Sequence, residues 1–380
     1  MTQQSPAEIE VRATDNGHGD GRELELQEVE ETGREAVEDT SGPGSLAGRF
    51  LRPQTLLSFV VAAVVLVFFL RRLDINPGAV WRQVRTANLW VYSLAFIVWY
   101  GSFFLRAYRW RRMLARVGID WHHGYRVPGT RGLVEIFLLS WFANCIVPAK
   151  LGDAYRSYLL KQESRASFST TLGTILAERL TDLAVLFLTM SAVGILVFRG
   201  HIPTEARETF LLGLGLLLLA AIGLATMWLS RHALQRRLPA RVQEQYGRLH
   251  DSVFQCLRRP GSFLVISAVI WLGEGLRLLL VARSLGADIS LATALFVALM
   301  GSLLTTLPFT PAGLGLVEGA TIAVLVKVIG MDPSLAGSIA ILDRVVGYWS
   351  LVLVGLILYL YRLRREARTS ALLQPDSPAP

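Results

Sequence analysis

Two short stretches of this sequence set arginine beside carboxylates inside long apolar runs. One reads Glu178-Arg179-Leu180-Thr181-Asp182 and the other Asp343-Arg344. Glu135, Lys150, Asp153, Arg156, Glu274, Arg277 and Glu318 also lie within or at the edge of apolar segments. A charge at the centre of a membrane helix costs about 2.5–3.5 kcal/mol or more, so such residues face a polar interior and often act. Arginine presents a planar fork of donors that matches a phosphate. The chemistry expected is capture of an anionic, phosphate-bearing group. Lys150, Arg156, Arg179 and Arg344 would hold it, while Asp153, Glu178, Asp182, Glu318 and Asp343 orient the arginines or meet a cationic headgroup.

The same residues also have structural readings. Arg179 and Asp182 are three apart on a helix, and Glu178 and Asp182 four apart. An internal ion pair locking that helix accounts for them without a ligand. Glu274 and Arg277 have the same spacing and read as a structural pair. Lys150 and Arg156 also suit anchoring at headgroups, and Glu318 suits capping of backbone N–H groups. Catalytic constellations are missing: no Ser-His-Asp or Cys-His arrangement is visible. Gly313-Leu314-Gly315 lacks the Lys-Ser/Thr of a phosphate-binding loop. His122-His123 reads as a solvated loop, and Cys145 and Cys256 as isolated thiols, with no disulfide or metal site. No cofactor is expected.

The elements that must position these residues are membrane helices. Of 380 residues, 52% are apolar and 18% charged, with mean hydropathy +0.42; soluble domains carry about 25% charge. About 20 apolar residues cross a hydrocarbon core. Six spans are expected at about 54–70, 89–105, 169–198, 210–229, 262–285 and 335–361. The basic run Arg106, Arg109, Arg111, Arg112, Arg116 closes the second. Two pairs of shorter pieces, 133–147 with 151–164 and 292–307 with 312–328, are each too short to span. Residues 1–48 read as a disordered acidic cytoplasmic tail, with twelve Asp/Glu and three Arg in the first 40. Residues 49–365 form the membrane domain, in which 230–260 is a basic amphipathic cytoplasmic linker, and 366–380 form a disordered tail.

The two short pairs resemble each other. Pro148-Ala149-Lys150-Leu151-Gly152 and Pro311-Ala312-Gly313-Leu314-Gly315 share the pattern P-A-x-L-G, 163 residues apart. Arg179 follows Pro148 by 31 residues and Arg344 follows Pro311 by 33. With the N-terminus inside and each pair re-entrant, expected inside regions hold 24 Lys/Arg and outside regions seven, as the positive-inside rule requires. The fold expected is all-α: a polytopic helical bundle with two re-entrant hairpins in an inverted repeat, the layout of many transporters. Pro148 and Pro311 would each open a short helix, turning its N–H groups and positive dipole end toward the midplane, where an anion binds.

At these segments the chain resembles the lysylphosphatidylglycerol synthase transmembrane region, also called the flippase-like domain family. The resemblance is carried by Asn144–Leu160, Leu176–Leu183, Leu307–Gly319 and Leu342–Tyr348. Lys150 stands where the family has a basic residue and Asp153 where it has Glu. Ala312 and Gly313 occupy the small-residue places, and Glu318 matches. The resemblance implies movement of a charged phospholipid headgroup between leaflets. Fused members carry a soluble aminoacyl-transferase domain after the membrane region; this chain, which stops soon after the sixth span, is expected to lack it.

The function expected is therefore a flippase for a phospholipid or lipid-linked headgroup. The alternatives are a membrane-embedded transferase acting on a lipid-linked substrate and a small-solute secondary transporter. Expected partners are a membrane lipid with an anionic or phosphate-bearing headgroup, a separate lipid-modifying enzyme and a second copy of the chain, with no nucleic acid. The scarcity of lysine (Lys150, Lys161 and Lys327 only) points to a GC-rich bacterial genome. The expected location is a bacterial plasma membrane with both termini cytoplasmic.

Overall fold

The computed structural model describes residues 77–146, 151–198, 204–231, 239–306 and 311–373. The expected first span, the acidic segment 1–48, Pro148 and Lys150 lie outside them. The described helices, in chain order, are α1 (Pro77–Arg85), α2 (Leu89–Arg116), α3 (Thr130–Ile146), α4 (Gly152–Ser164), α5 (Phe168–Phe198), α6 (Thr204–Leu229), α7 (Ala240–Leu257), α8 (Gly261–Ser284), α9 (Leu291–Leu304), α10 (Leu316–Lys327), α11 (Pro333–Arg344) and α12 (Ser350–Leu373). No strand occurs among the described residues. Five segments among them are long and apolar enough to cross a membrane: Leu89–His123, Phe168–Phe198, Arg207–Leu229, Gly261–Ser284 and Pro333–Arg365.

The local chemistry sets where the helices begin. The Asn88 side chain accepts from the backbone N–H groups of Trp90 and Val91 and caps α2. Ser290 accepts from Thr293 N–H to open α9, and Asp332, followed by Pro333 in the first turn, opens α11. These are the residue types that satisfy the orphan donors of a helix start.

Three expected spans, 169–198, 210–229 and 262–285, fall within a few residues of α5, α6 and α8. The expected 89–105 span does not stop at its basic run. No glycine or proline lies between Ser102 and Arg116, so nothing breaks the backbone, and α2 continues to Arg116. Ser102, Arg106, Arg109 and Met113 lie on one buried face, with Arg111 and Arg112 exposed on the other. The 335–361 span is α11 and α12 joined by a π-helical turn at Val345–Trp349, a deviation frequent at functional sites. α12 runs on to Leu373, past the expected start of the tail at 366.

α2 and α8 pack along each other, with α5 and α9 closing around α8. α3 folds back on α4 and α9 on α10, so each short pair is a helical hairpin. α7 lies against α5 and buries His250, Val253 and Cys256. α6 turns Leu218, Leu219 and Ile222 outward, a surface suited to hydrocarbon.

Candidate functional site

The buried charges form two ion-pair clusters that each take an arginine from α2, with the pairs Arg179–Asp153 and Arg344–Glu318 beside them. In the first, Glu178 and Asp182, four residues apart on α5, share one helix face and grip Arg109 of α2. Arg109 Nη2 donates to Glu178 Oε1 at 3.0 Å and to Asp182 Oδ2 at 2.9 Å. Arg109 also donates to Ser267 of α8, whose hydroxyl donates to Asp182 Oδ1 at 2.9 Å. Arg156, fully buried on α4, pairs with Glu178 and stacks on Trp110 at 4.2 Å and Phe137 at 4.1 Å.

Arg179 does not join Asp182 on its own helix. It points the other way, to Asp153 in the first turn of α4, donating from Nε at 2.9 Å and from Nη2 at 2.6 Å. The locking pair expected within α5 is thus replaced by pairs between helices. The α3–α4 turn is closed by polar bonds. Gly152 N–H donates to Asn144 Oδ1 at 2.8 Å, and Ser140 Oγ donates to Gly152 O at 2.8 Å. A Cβ at Gly152 would collide with the Ser140 carbonyl, so only glycine lets the helices approach this closely.

In the second cluster, Arg106 of α2 donates to Glu274 of α8 at 2.9 Å. Arg277 lies 3.3 Å from Glu274 and 2.8 Å from Asp343. The expected Glu274–Arg277 pair exists, but each member also ties its helix to another one. Arg344 Nε pairs with Glu318 at 2.9 Å and its guanidinium reaches the carbonyls of Ala312 and Gly313 at 3.5 and 3.4 Å. Glu318 both pairs and caps: its second oxygen accepts from Gly315 N–H at 2.7 Å.

Pro311 does not open the short helix that follows it. Pro311–Gly313 forms a separate 3₁₀ turn, and α10 starts at Leu316. Three left-handed residues, Ala312 (φ 48°), Gly313 (φ 71°) and Gly315 (φ 82°), let the chain turn between them. On the other hairpin α4 starts at Gly152, four residues after Pro148. Each helix start carries a carboxylate in its first turn, Asp153 or Glu318. The positive dipole ends are therefore already complemented, and the groups left to meet an outside anion are the arginines on those carboxylates.

A cavity of about 250 Å³ lies between the two clusters. Arg106, Arg179, Arg277 and Arg344 line it, with Asp182, Glu274 and Asp343. Asn144 and Cys145 at the end of α3 and Thr305 and Thr306 after α9 border the same space, so the cavity joins both hairpins. Trp99, Trp141 and Trp271 form an aromatic wall. The Arg179 side chain is 40% exposed, against 1% for Arg109.

Of the residues singled out in the sequence, Arg179, Asp182, Glu274, Arg277, Asp343 and Arg344 line the cavity. Asp153, Arg156, Glu178 and Glu318 stand behind it as ion-pair partners. Gly152, Gly313 and Gly315 shape the turns. Arg106 and Arg109, read as part of a cytoplasmic basic run, are buried structural members of the site, 3% and 1% exposed. The signal available was their helical spacing from Ser102 and Met113 on an unbroken helix. The cavity tryptophans gave no comparable signal. Among the described residues no group of His, Cys, Asp and Glu is arranged to hold a metal ion.

The chain matches the model of the lysylphosphatidylglycerol synthase TM region over residues 55–355. It is 33% identical to a UPF0104 membrane protein of Methanocaldococcus jannaschii, over 57% of this chain and 93% of that protein. A UPF0104 membrane protein of Methanothermobacter thermautotrophicus is 24% identical over 78% of this chain and 90% of its own length. The glycosyltransferase AglD of Haloferax volcanii is 24% identical over 82% of this chain and 56% of AglD. With that match across most of its length, and with its helices, this multi-pass membrane protein belongs to the lysylphosphatidylglycerol synthase TM region family.

Proposed function

We propose that the protein moves a phosphate-bearing lipid headgroup between the two leaflets. The observation that carries this reading is the charged cavity: four arginines and three carboxylates face one space inside a bundle of apolar helices. Charges that only fastened helices together would have no need of an open volume, and intramembrane ionisable groups characteristically mark transport paths. The headgroup would enter beside Arg179 and Arg344 while the acyl or isoprenoid tails stay in the bilayer.

The wiring of the two clusters favours an internal repeat. Asp153 and Arg179 are 26 residues apart, and so are Glu318 and Arg344; each acid opens the second helix of a hairpin and each arginine lies on the following span. Glu178 and Asp343, immediately before those arginines, each take an arginine from α2 or α8. In our reading the hairpins enter from opposite faces and form an inverted repeat, with both termini cytoplasmic. Setting aside the buried Arg106, Arg109 and Arg156 leaves 21 inside charges against seven, which keeps that orientation. The arginine bias favours a bacterial plasma membrane, although the relatives named above are archaeal. A separate lipid-modifying enzyme would supply the cargo, and a second copy of the chain is a further candidate partner.

A second reading is a transferase acting on a lipid-linked substrate, favoured by the likeness to AglD. Against it, arginines engage Glu178, Asp182, Glu274 and Asp343 in ion pairs, which occupies the carboxylates that an acid–base pair would use. Leaflet exchange of a fluorescent phospholipid, read by dithionite quenching in vesicles holding the purified protein, separates the readings. Exchange without headgroup turnover supports the flippase; turnover of a labelled lipid-linked sugar without exchange would replace it.

A further inference from the structure

A lipid whose headgroup crosses inside the bundle keeps its tails in the bilayer, because a charge-lined cavity is a poor solvent for hydrocarbon. Its path therefore needs a slit in the helix wall beside the cavity. Much of that wall is closed: α2 packs along α8, α8 along α9, and α7 along α5. α6 is held differently, by contacts near its two ends.

At one end Phe210 packs on Gly194 of α5 and lies 5.8 Å from the Phe296 ring of α9. Gly213 is the last buried residue of α6. A Cβ on it would come 2.6 Å from the Phe187 ring of α5 and 3.2 Å from Leu303 of α9, so a glycine lets the three helices meet. At the other end the Tyr246 hydroxyl of α7 donates to Met227 O at 3.3 Å, and Arg231 pairs with Asp251 at 3.1 Å. Between these ties, from Leu214 to Thr226, every residue is exposed or half-buried. A helix packed along its length buries a stripe, as α5 and α8 do.

One turn beyond the three-helix contact stand Leu183, Thr306 and Leu217. Leu183 and Thr306 line the charged cavity. Leu217 continues the Gly213 face of α6, followed by Ala220 and Leu224. All five are half-buried. A further turn along α5 comes Arg179, the half-open cation of the cavity. An apolar strip of α6 thus continues from the edge of the charged cavity.

We infer that the seam between α5 and α6 is the lateral portal of the cavity, and that its occupant is a hydrocarbon chain of the cargo lipid. The inference rests on the lipid-moving function proposed above and names where the tails lie while the headgroup is at Arg179. Methylenes suit the strip, because the side chains of Leu217, Ala220 and Leu224 offer no donor, acceptor or charge. A soluble solute would need no such opening.

The test uses the full chain with Cys145→Ala and Cys256→Ala, in vesicles of phosphatidylcholine and phosphatidylglycerol. Leu183→Cys/Leu217→Cys, joined by a short bismaleimide, closes the portal. Met227→Cys/Tyr246→Cys, joined in the same way, ties α6 to α7 where they already touch. Exchange of a fluorescent phospholipid, read by dithionite, should fall at least about tenfold with the first staple, the scale of an overfilled seam. It should hold its unstapled rate with the second. Undiminished exchange with the first staple overturns this inference alone. Equal loss with both staples also overturns it, by making α6 motion the cause. Complete disulfide pairing of Leu217→Cys between two chains would give the face to a second copy and overturn it too.

A phospholipid with a diazirine midway along one chain gives a second readout without staples. It should label Leu217, Ala220 and Leu224, and Arg179→Ala should cut that labelling several-fold. Labelling of the outward-facing Leu218 and Ile222 should not change. Inner-face labelling indifferent to Arg179 marks bulk lipid and overturns the portal. No exchange before stapling, or uptake of free glycerol 3-phosphate without lipid exchange, overturns the lipid-moving function along with it.

Discussion

Arg179 grips Asp153 through two hydrogen bonds across 26 residues of sequence, and does so with 40% of its side chain still exposed. An arginine used only as a fastener would be enclosed by its partner helices, as Arg156 is. Arg179 is held in place at one edge and open at the other, the arrangement expected of a cation that exchanges a protein carboxylate for a passing phosphate.

Function and stability should therefore separate at this residue. The Arg179–Asp153 pair is more open than the pairs of Arg109, so the thermal stability of Arg179→Ala in detergent should fall by less than that of Arg109→Ala. Lipid exchange should fall at least about tenfold. Exchange at the wild-type rate in a folded Arg179→Ala protein would remove Arg179 from the site.

Arg109 should behave in the opposite way. It is enclosed, and its removal strands Glu178 and Asp182 without their shared cation. Breaking a buried pair costs about 3–5 kcal/mol, so Arg109→Ala should lose most of its folded yield and melt well below the wild type. Arg109→Lys should recover little, because a lysine cannot serve both carboxylates in the fork geometry. A normal melting curve for Arg109→Ala would show that this cluster is not what joins α2 to α5.

Gly347 offers a finer probe. It lies in the π-turn, and a Cβ there would come 2.7 Å from Arg277 Nη1. Gly347→Ala should push the guanidinium off Asp343 and slow exchange several-fold with expression preserved. Equal exchange rates for the variant and wild type would mean that Arg277 has slack to give.

The two cysteines test the packing directly. Cys256 is buried where α7 meets the bundle, and burial pushes its thiol up to about 12. In folded Cys145→Ala protein at pH 8 it should resist maleimide and should label readily once denatured; fast labelling at that pH would place α7 off the bundle.

Much of this architecture was legible in the sequence. The spans showed as apolar blocks, and Arg179, Asp182, Asp343 and Arg344 stood out because charge inside apolar sequence is costly. What was not legible was partner choice. Arg179 has Asp182 within one helical turn, yet it reaches Asp153, because Asp182 turns to Arg109 on a different face. Local spacing cannot report which helices a tertiary fold brings together. Charge alone also misplaced the end of α2, where Arg106 and Arg109 look like a basic loop until their spacing is set against Ser102 and Met113. Pro311 misled for a related reason: its fixed φ suits the first turn of a helix, but the left-handed residues after it delay α10 to Leu316.

The claim that the cavity itself is the route is best tested by plugging it. Ser302 lines the cavity, so Ser302→Cys, in a background with Cys145→Ala and Cys256→Ala, places one thiol in the path. Before modification the variant should exchange fluorescent phospholipid at close to the background rate. After attachment of a bulky maleimide, exchange should fall to that of protein-free vesicles. Undiminished exchange with the plug fully attached would mean that lipid travels by some other route.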